Sequence, residues 1–343
     1  MIYFGIALFS FLTTYLIVPL NCKLSTKLGI IDIPRKRSIH KIAIPKSGGL
    51  SLLIGLFLSQ FLFLVLGKQS FSLLFVGLII GGFLIFILGI LDDYFDIRAW
   101  IKIFIEIIIV LVIISFGFKI NLITNPFGAS ISIGIFSIPT TIIWFLLVMN
   151  AINLIDGLDG LATGIVAIVF LIIGISSSVT SNEFVAYFSF ALLGGCLAFL
   201  KFNFHPAKIF LGDAGSLFLG FNIAALSVAG NAQYKGTTAM TMLIPMIVLS
   251  LPLIDTFLTF FRRLKRPKNL FQADKNHLHH KMLELGFSYK TVVLIGYFLT
   301  GLFGLIALGF LLVDKRILLI LIMFFVIILL FIFWAIIRKE FFK

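Results

Sequence analysis

Residues 71–96 read FSLLFVGLIIGGFLIFILGILDDYFD: twenty-one residues without a charge, then three aspartates within five positions. At 1.5 Å per residue, a helix of about 20 residues crosses the roughly 30 Å of hydrocarbon in a bilayer. The stretch therefore predicts a membrane-spanning helix that delivers carboxylates to a membrane edge.

The same pattern continues in both directions. Of 343 residues, 61% are hydrophobic and 12% charged, against roughly 45–50% and about 25% in an ordinary soluble domain. A soluble fold has no interior large enough for that much apolar surface. The runs predict eleven spans, over residues 2–21, 47–66, 71–90, 100–117, 134–151, 160–179, 184–201, 209–229, 238–261, 291–312 and 317–337. They are continuous and rich in Leu, Ile and Phe, whereas a transmembrane β-barrel needs short segments of alternating polarity. The expected fold class is all-α, a polytopic membrane helical bundle. No repeat, low-complexity tract or linker divides it, so a single integral domain over residues 1–343 is expected.

Charge sets the expected orientation. No Lys or Arg precedes the first span, while Lys23, Lys27, Arg35, Lys36, Arg37, Lys41 and Lys46 follow it, the reverse of a cleavable secretory signal. Alternating through eleven spans leaves all but five of the 27 Lys and Arg on one side; Lys68, Lys119, Lys235, Lys315 and Arg316 fall on the other. By the positive-inside rule the basic side is cytoplasmic, with the N-terminus outside and the C-terminus inside. A net charge of +13 in a soluble protein would suggest nucleic acid. Here the positives hug membrane edges, so anionic lipid head groups and nucleotide phosphates are the expected partners and nucleic acid is not. Cys22 and Cys196 show no metal-ligand spacing and read as small buried hydrophobes.

With only 14 Asp and Glu, placement is informative. Asp92, Asp93, Asp96, Asp156, Asp159, Asp213, Asp255 and Asp274 all fall in or near connections on the basic side. A carboxylate at the centre of a membrane helix costs about 2.5–3.5 kcal/mol on insertion scales. Binding a divalent cation is one reason to accept that cost.

Five segments stand out. Asp92-Asp93 followed by Lys102 pairs repelling carboxylates in a way that suits Mg²⁺, a hard cation that keeps several waters; a solvated turn with a Lys102–Glu106 helix pair would also account for these residues. Asn150, Asn153 and Asp156 recur at a spacing of three on one helical face, followed by Asp159 in a glycine-punctuated turn. Amides and carboxylates together suit a nucleoside and its phosphates, and four of them exceed what helix capping needs. Asn203 leads through His205 and Lys208 to Leu211-Gly212-Asp213-Ala-Gly-Ser216, where Asp213 lies inside an apolar run and reads better as a metal ligand than as a cap. The longest basic loop, 262–290, gathers Asp274, His277, His279, His280 and Lys281; it lacks the Cys or second His pair of a structural zinc site and suits a diphosphate or anionic lipid. Lys46 with the paired Gly48 and Gly49 stands at a helix entrance, where phosphate is favoured.

Together these segments resemble the polyprenyl-phosphate N-acetylhexosamine-1-phosphate transferases of bacterial envelope synthesis. The resemblance runs over nearly the whole chain. It is carried by Asp32 to Gly49, Asp92-Asp93 with Lys102, Asn150 to Gly164, Asn203 with Leu211 to Ser216, Pro252-Leu-Ile-Asp255, and Asp274 to Phe287. The muramoyl-pentapeptide branch has three consecutive histidines in the late loop, whereas this chain reads His277-Leu278-His279-His280-Lys281, as in the branch that takes UDP-N-acetylglucosamine.

The resemblance implies transfer of an N-acetylhexosamine-1-phosphate from a UDP-sugar to undecaprenyl phosphate, with release of UMP and with Mg²⁺ as cofactor or Mn²⁺ in its place. It implies an enzyme of the bacterial cytoplasmic membrane with an inward-facing site; a homodimer is compatible with it. Asp213 is the leading metal ligand, with Asp92, Asp93 and Asn153 near the ion. Asp92 and Asp93 orient or deprotonate the lipid phosphate, and Lys102, His279 and His280 meet the developing charge. Asn150, Asn153, Asp156, Asp159, Asn203, Lys46, Gly48 and Gly49 bind substrate or build its site.

Three other readings explain less. A secondary transporter places binding groups near the midplane, not at one edge. A CDP-alcohol phosphotransferase needs an arginine soon after Asp-Gly, where this chain has Thr163. A polyprenyl-diphosphate phosphatase needs no nucleoside-binding block.

Overall fold

A computed structural model describes residues 1–34, 43–123, 131–232, 243–264, 278–312 and 323. Its helices are α1 (Ile2–Leu28), α2 (Gly48–Val65), α3 (Leu73–Phe95), α4 (Ala99–Ser115), α5 (Ser137–Ile155), α6 (Leu161–Val179), α7 (Glu183–Asn203), α8 (Gly212–Ala232), α9 (Leu243–Val248), α10 (Ser250–Leu264), α11 (Leu278–Glu284) and α12 (Tyr289–Leu312). Among the described residues eight helical stretches are long and apolar enough to cross a membrane: α1, α2, α3, Gly134–Ile155, α6, α7, Gly212–Gly230 and Tyr289–Gly309. The expected all-α polytopic class holds.

Three of the eleven expected runs are not among these eight. The helix at 100–117 has 17 residues, only about 26 Å of rise. The ninth run, 238–261, is not one helix but α9 and α10, with Leu249 between them. Pro252 has no N–H for the Val248 carbonyl, and its ring crowds that group, so the helix breaks one turn upstream. The eleventh run, 317–337, lies outside the described residues apart from residue 323.

Local chemistry starts and stops the helices. Ser72 caps α3, its hydroxyl accepting from the Phe75 N–H at 3.1 Å, and Asn182 caps α7 through the Val185 N–H at 3.2 Å. Gly29, left-handed at φ 74°, ends α1, and the next N–H reaches back to the Ser25 carbonyl. The C-terminal ends of α1, α3, α5 and α7 meet the N-terminal ends of α2, α4, α6, α8 and α12 at one end of the bundle, through contacts such as Lys46 with Asp93, the Asp213 N–H with Asp93, and the Asp159 N–H with Tyr289.

The core centres on α8, 94% of whose span is buried, against 22% for α1. Its first turn is small, and two neighbours approach it to backbone contact. A Cβ at Gly89 of α3 would lie 2.3 Å from Ala214 Cα, and one at Gly49 of α2 would lie 2.5 Å from the Gly215 nitrogen. A two-residue antiparallel ladder, β1 (Ile31–Asp32) with β2 (Ile44–Pro45), leads the chain from α1 into α2. A second, β3 (Leu122–Ile123) with β4 (Ile131–Ser132), sits between α4 and α5 at the other end. A buried knot joins α1 to α2: the Asn21 amide donates to the Ser47 carbonyl at 2.8 Å and to the Ser51 hydroxyl at 2.9 Å, while Ser25 and Ser47 touch.

Candidate active site

Three aspartates and two lysines from four elements meet at the end of the bundle where those helix ends converge. Lys102 Nζ, from the first turn of α4, lies 2.6 Å from Asp92 Oδ2 and 3.8 Å from Asp213 Oδ1. Lys46 Nζ, just ahead of α2, lies 2.8 Å from Asp93 Oδ1 and 3.9 Å from Asp213 Oδ2. The charges therefore alternate as Asp92, Lys102, Asp213, Lys46, Asp93, with Asp213 between two ammonium groups that each bind another carboxylate more closely.

The three acids differ in what they have left to offer. Asp93 is spent: Oδ1 accepts the Asp213 N–H at 2.9 Å and Oδ2 the Ala214 N–H at 3.0 Å, on top of Lys46, and its side chain is 2% exposed. It caps α8 from α3, where a carboxylate meets both the free N–H groups and the positive end of the helix dipole. Asp92 is almost as fully engaged, with Oδ1 accepting the Ile97 N–H at 2.9 Å and Oδ2 holding Lys102. The Asp213 side chain is 26% exposed and makes no hydrogen bond among the described residues. Partial burial works to lower the Lys46 pKa, but the Asp93 and Asp213 carboxylates outweigh it and hold the ammonium above the ordinary lysine range.

The backbone fixes Lys46. Its N–H donates to the Ile30 carbonyl at 3.1 Å, and the Pro45 carbonyl accepts from the Phe210 N–H at 2.8 Å. The Gly48 and Gly49 amides donate to the Phe210 and Leu211 carbonyls at 2.9 and 3.1 Å. The paired glycines thus dock α2 against the entry to α8, and their N–H groups are taken.

A second group of residues forms the nucleoside-type block expected between α5 and α6. Asn153 and Asp156 make no side-chain hydrogen bond among the described residues. Burial first, then the charges of Asp213 and Asp93, push the Asp156 carboxyl well above the ordinary carboxylate range. Asp159 is a hub: Oδ2 lies 2.9 Å from His205 Nδ1 and accepts the Ala207 N–H at 3.1 Å, while its own N–H donates to the Tyr289 hydroxyl. The His205 ring stacks on Tyr289 with centroids 4.4 Å apart. Asn203 is a buried brace. Its Oδ1 accepts the Gly160 N–H at 3.1 Å and the Thr163 hydroxyl at 2.9 Å, and its amide donates to the Ile209 carbonyl at 3.0 Å.

Asn150 lies beside the lysine array. Its amide donates to Glu106 Oε2 at 2.9 Å and to the Leu146 carbonyl at 2.9 Å. Glu106 is fully buried; in sequence it reads only as the i+4 partner of Lys102, although a carboxylate so deep in an apolar run is itself a signal. His205, Tyr289 and Tyr297, whose hydroxyl donates to the Gly160 carbonyl, carried no such signal. The array thus brings together Lys46, Asp92, Asp93, Lys102 and Asp213, with Asn150 joined through Glu106. His279 and His280 fall in α11, but their side chains lie outside the described ones, as do Asp274 and His277 entirely.

Comparison with known proteins places this arrangement. Residues 75–231 match the model of glycosyl transferase family 4. A Bacillus subtilis (strain 168) protein named "Probable undecaprenyl-phosphate N-acetylglucosaminyl 1-phosphate transferase" is 35% identical over 301 residues, 87% of this chain and 82% of the relative. The chain belongs to glycosyl transferase family 4. A further relative, the "Decaprenyl-phosphate N-acetylglucosaminephosphotransferase" of Mycobacterium tuberculosis (strain ATCC 25618 / H37Rv), is 32% identical over 304 residues, covering 81% of this chain and 75% of its own. The "Undecaprenyl-phosphate alpha-N-acetylglucosaminyl 1-phosphate transferase" of Escherichia coli (strain K12) is 28% identical over 288 residues, 82% of this chain and 76% of its own. The family 4 match takes in Asp92, Asp93, Lys102, the Asn150 to Gly164 block, Asn203 and Asp213. Lys46 and the tyrosines of α12 lie outside it.

Proposed function

We propose that this family 4 chain transfers N-acetylglucosamine-1-phosphate from UDP-N-acetylglucosamine to undecaprenyl phosphate, giving undecaprenyl-diphospho-N-acetylglucosamine and UMP and so starting a cell-envelope glycopolymer. The observation that carries the reading is the alternating array with Asp213 free between two lysines. The names of the relatives supply the sugar and the polyprenyl phosphate.

In the reaction an oxygen of the lipid phosphate forms a bond to the β-phosphorus of the UDP-sugar. The bond from that phosphorus to the bridging oxygen breaks, and UMP leaves with that oxygen. Such transfers ask for positioning and charge neutralisation more than covalent chemistry by the protein. Lys46 and Lys102 supply fixed positive charge on either side of Asp213. A phosphate monoester is largely ionised near neutrality, its second pKa being about 6, so no base is required; Asp92 then serves by aiming Lys102.

Mg²⁺ fits the donor set. Mg²⁺ binds through one or two protein oxygens, waters and substrate phosphates, and the array offers it the partly exposed Asp213 carboxylate. Asp213 and Asn153, with unshared oxygens, would hold it, and when bound it would neutralise charge on the diphosphate. Asp92 and Asp93, whose oxygens are engaged, would support the site from behind.

The test is UMP release by purified protein in detergent with Mg²⁺, undecaprenyl phosphate and, in parallel, UDP-N-acetylglucosamine, UDP-N-acetylgalactosamine and UDP-muramoyl-pentapeptide. Release that needs the lipid and favours the first donor is expected; preference for the pentapeptide donor would move the chain to the peptidoglycan branch, and no release with any donor would reopen transport. With eleven spans over one transferase domain of residues 1–343 and the site facing the cytoplasm, a membrane-impermeant thiol reagent added outside should label a cysteine placed at Lys68 and not one at Lys27, in a protein lacking Cys22 and Cys196. The opposite pattern would invert the topology.

A further inference from the structure

We infer that Glu106 is a positioning residue for the transfer proposed above, on which this inference rests, and that it acts by orienting Asn150 and not through its charge. Of the residues of α4 only Glu106, Ile109, Val110 and Ile113 are buried. That lightly anchored helix nevertheless carries Lys102, which joins Asp92 and faces Asp213. Aliphatic contacts are non-directional and set no register by themselves. A hydrogen bond is directional, and the bond from Asn150 Nδ2 to Glu106 Oε2 ties α4 to α5 one turn from Lys102.

The same bond decides what Asn150 offers a ligand. A side-chain amide has two donor hydrogens on nitrogen and an acceptor oxygen. Both hydrogens are taken, by Glu106 Oε2 and the Leu146 carbonyl. Only Oδ1 remains, and it accepts. Asn150 therefore does not bind phosphate oxygens; it takes a donor of the UDP-sugar, a hydroxyl or the acetamido N–H. Without Glu106 only the Leu146 carbonyl, one turn back on the same helix and already within the α5 backbone ladder, is left to orient that amide.

Charge is not needed for this task. Glu106 is fully buried, and its second oxygen, Oε1, has no hydrogen-bond partner among the described residues, a poor setting for a carboxylate. A glutamine at this position presents the same acceptor to Asn150.

Glu106→Gln, Glu106→Leu, Asn150→Ala and the Glu106→Leu/Asn150→Ala double variant separate these ideas. Glu106→Gln should keep kcat/KM for UMP release within about threefold of wild type, whereas Glu106→Leu should lose at least about tenfold; once Asn150 is alanine, Glu106→Leu should cost less than about twofold more, as coupled neighbours do. Thermal unfolding of the same proteins, which needs no substrate, should show the same coupling, a fall of about 5 °C for Glu106→Leu shrinking to under about 2 °C in the Asn150→Ala background. A Glu106→Gln enzyme as slow as Glu106→Leu would show that the charge acts directly, and additive losses in the cycle would show that Glu106 merely supports the fold; either overturns the inference. If wild-type protein releases no UMP with any donor, the proposed reaction falls, and the thermal cycle by itself decides whether Glu106 holds Asn150, additive shifts overturning that.

Discussion

Replacing Asp213 with asparagine should lower kcat for UMP release by about a thousandfold, on the order of 4 kcal/mol of transition-state stabilisation, while leaving the unfolding temperature within about 2 °C of wild type. The two halves of this expectation have one cause. The Asp213 carboxylate is the member of the array with no hydrogen bond among the described residues, and the two lysines beside it stand 3.8 and 3.9 Å away and bind Asp92 and Asp93 more closely. Removing its charge leaves every short contact of the fold in place, so stability should barely change. The site, in contrast, loses its open anionic oxygens, which the proposed reading gives to Mg²⁺. Parallel assays of UMP release and thermal unfolding decide the point. More than a tenth of wild-type turnover at saturating Mg²⁺ would take Asp213 out of the metal site. A large fall in unfolding temperature would make it a structural residue.

What the sequence made legible follows from the range over which each feature is encoded. The spans are written in contiguous residues: twenty-one uncharged positions before Asp92 suffice to place α3. The convergence of acids at one end is nearly as local, since membrane-crossing helices that alternate in direction carry every second connection to the same side. The break between α9 and α10 was readable from Pro252 and was hidden because the surrounding apolar run is continuous. The division of labour between Asp92 and Asp93 had no local signal. It depends on the first turn of α8 lying against the end of α3, a contact made across about 120 residues by the absence of a side chain at Gly89. Adjacent residues on a helix point about 100° apart, so one carboxylate faces Lys102 on α4 and its neighbour faces the free N–H groups of α8. The hub at Asp159 was equally out of reach, because His205 and Tyr289 acquire meaning only when the start of α12 is laid beside the α5–α6 turn. Asn203 shows the converse: a polar residue at the end of an apolar span reads as a ligand contact, yet both ends of its amide are used to brace three segments.

That division yields the sharpest contrast with Asp213. Asp93→Ala should lose both stability and activity. Two N–H groups at the start of α8 lose their acceptor, an effect of about 1–2 kcal/mol for a helix cap. Lys46 loses its close partner; because its side chain is 35% exposed, solvent screens part of that loss, well below the 3–5 kcal/mol of a fully buried pair. A total of about 2–4 kcal/mol corresponds to a fall of roughly 3–6 °C in unfolding temperature for a chain of this size. Turnover should fall at least a hundredfold, because the freed turn carries Asp213 and the freed ammonium is Lys46, and displacements of about 1 Å at a reacting centre cost that much. Asp93→Asn should lie between, since the amide oxygen can still accept one of the two N–H groups while its NH₂ faces the other. An Asp93→Ala protein that unfolds at the wild-type temperature but is inactive would refute the capping role and return Asp93 to direct contact with substrate or metal. Loss of stability with turnover intact would separate the cap from the chemistry altogether.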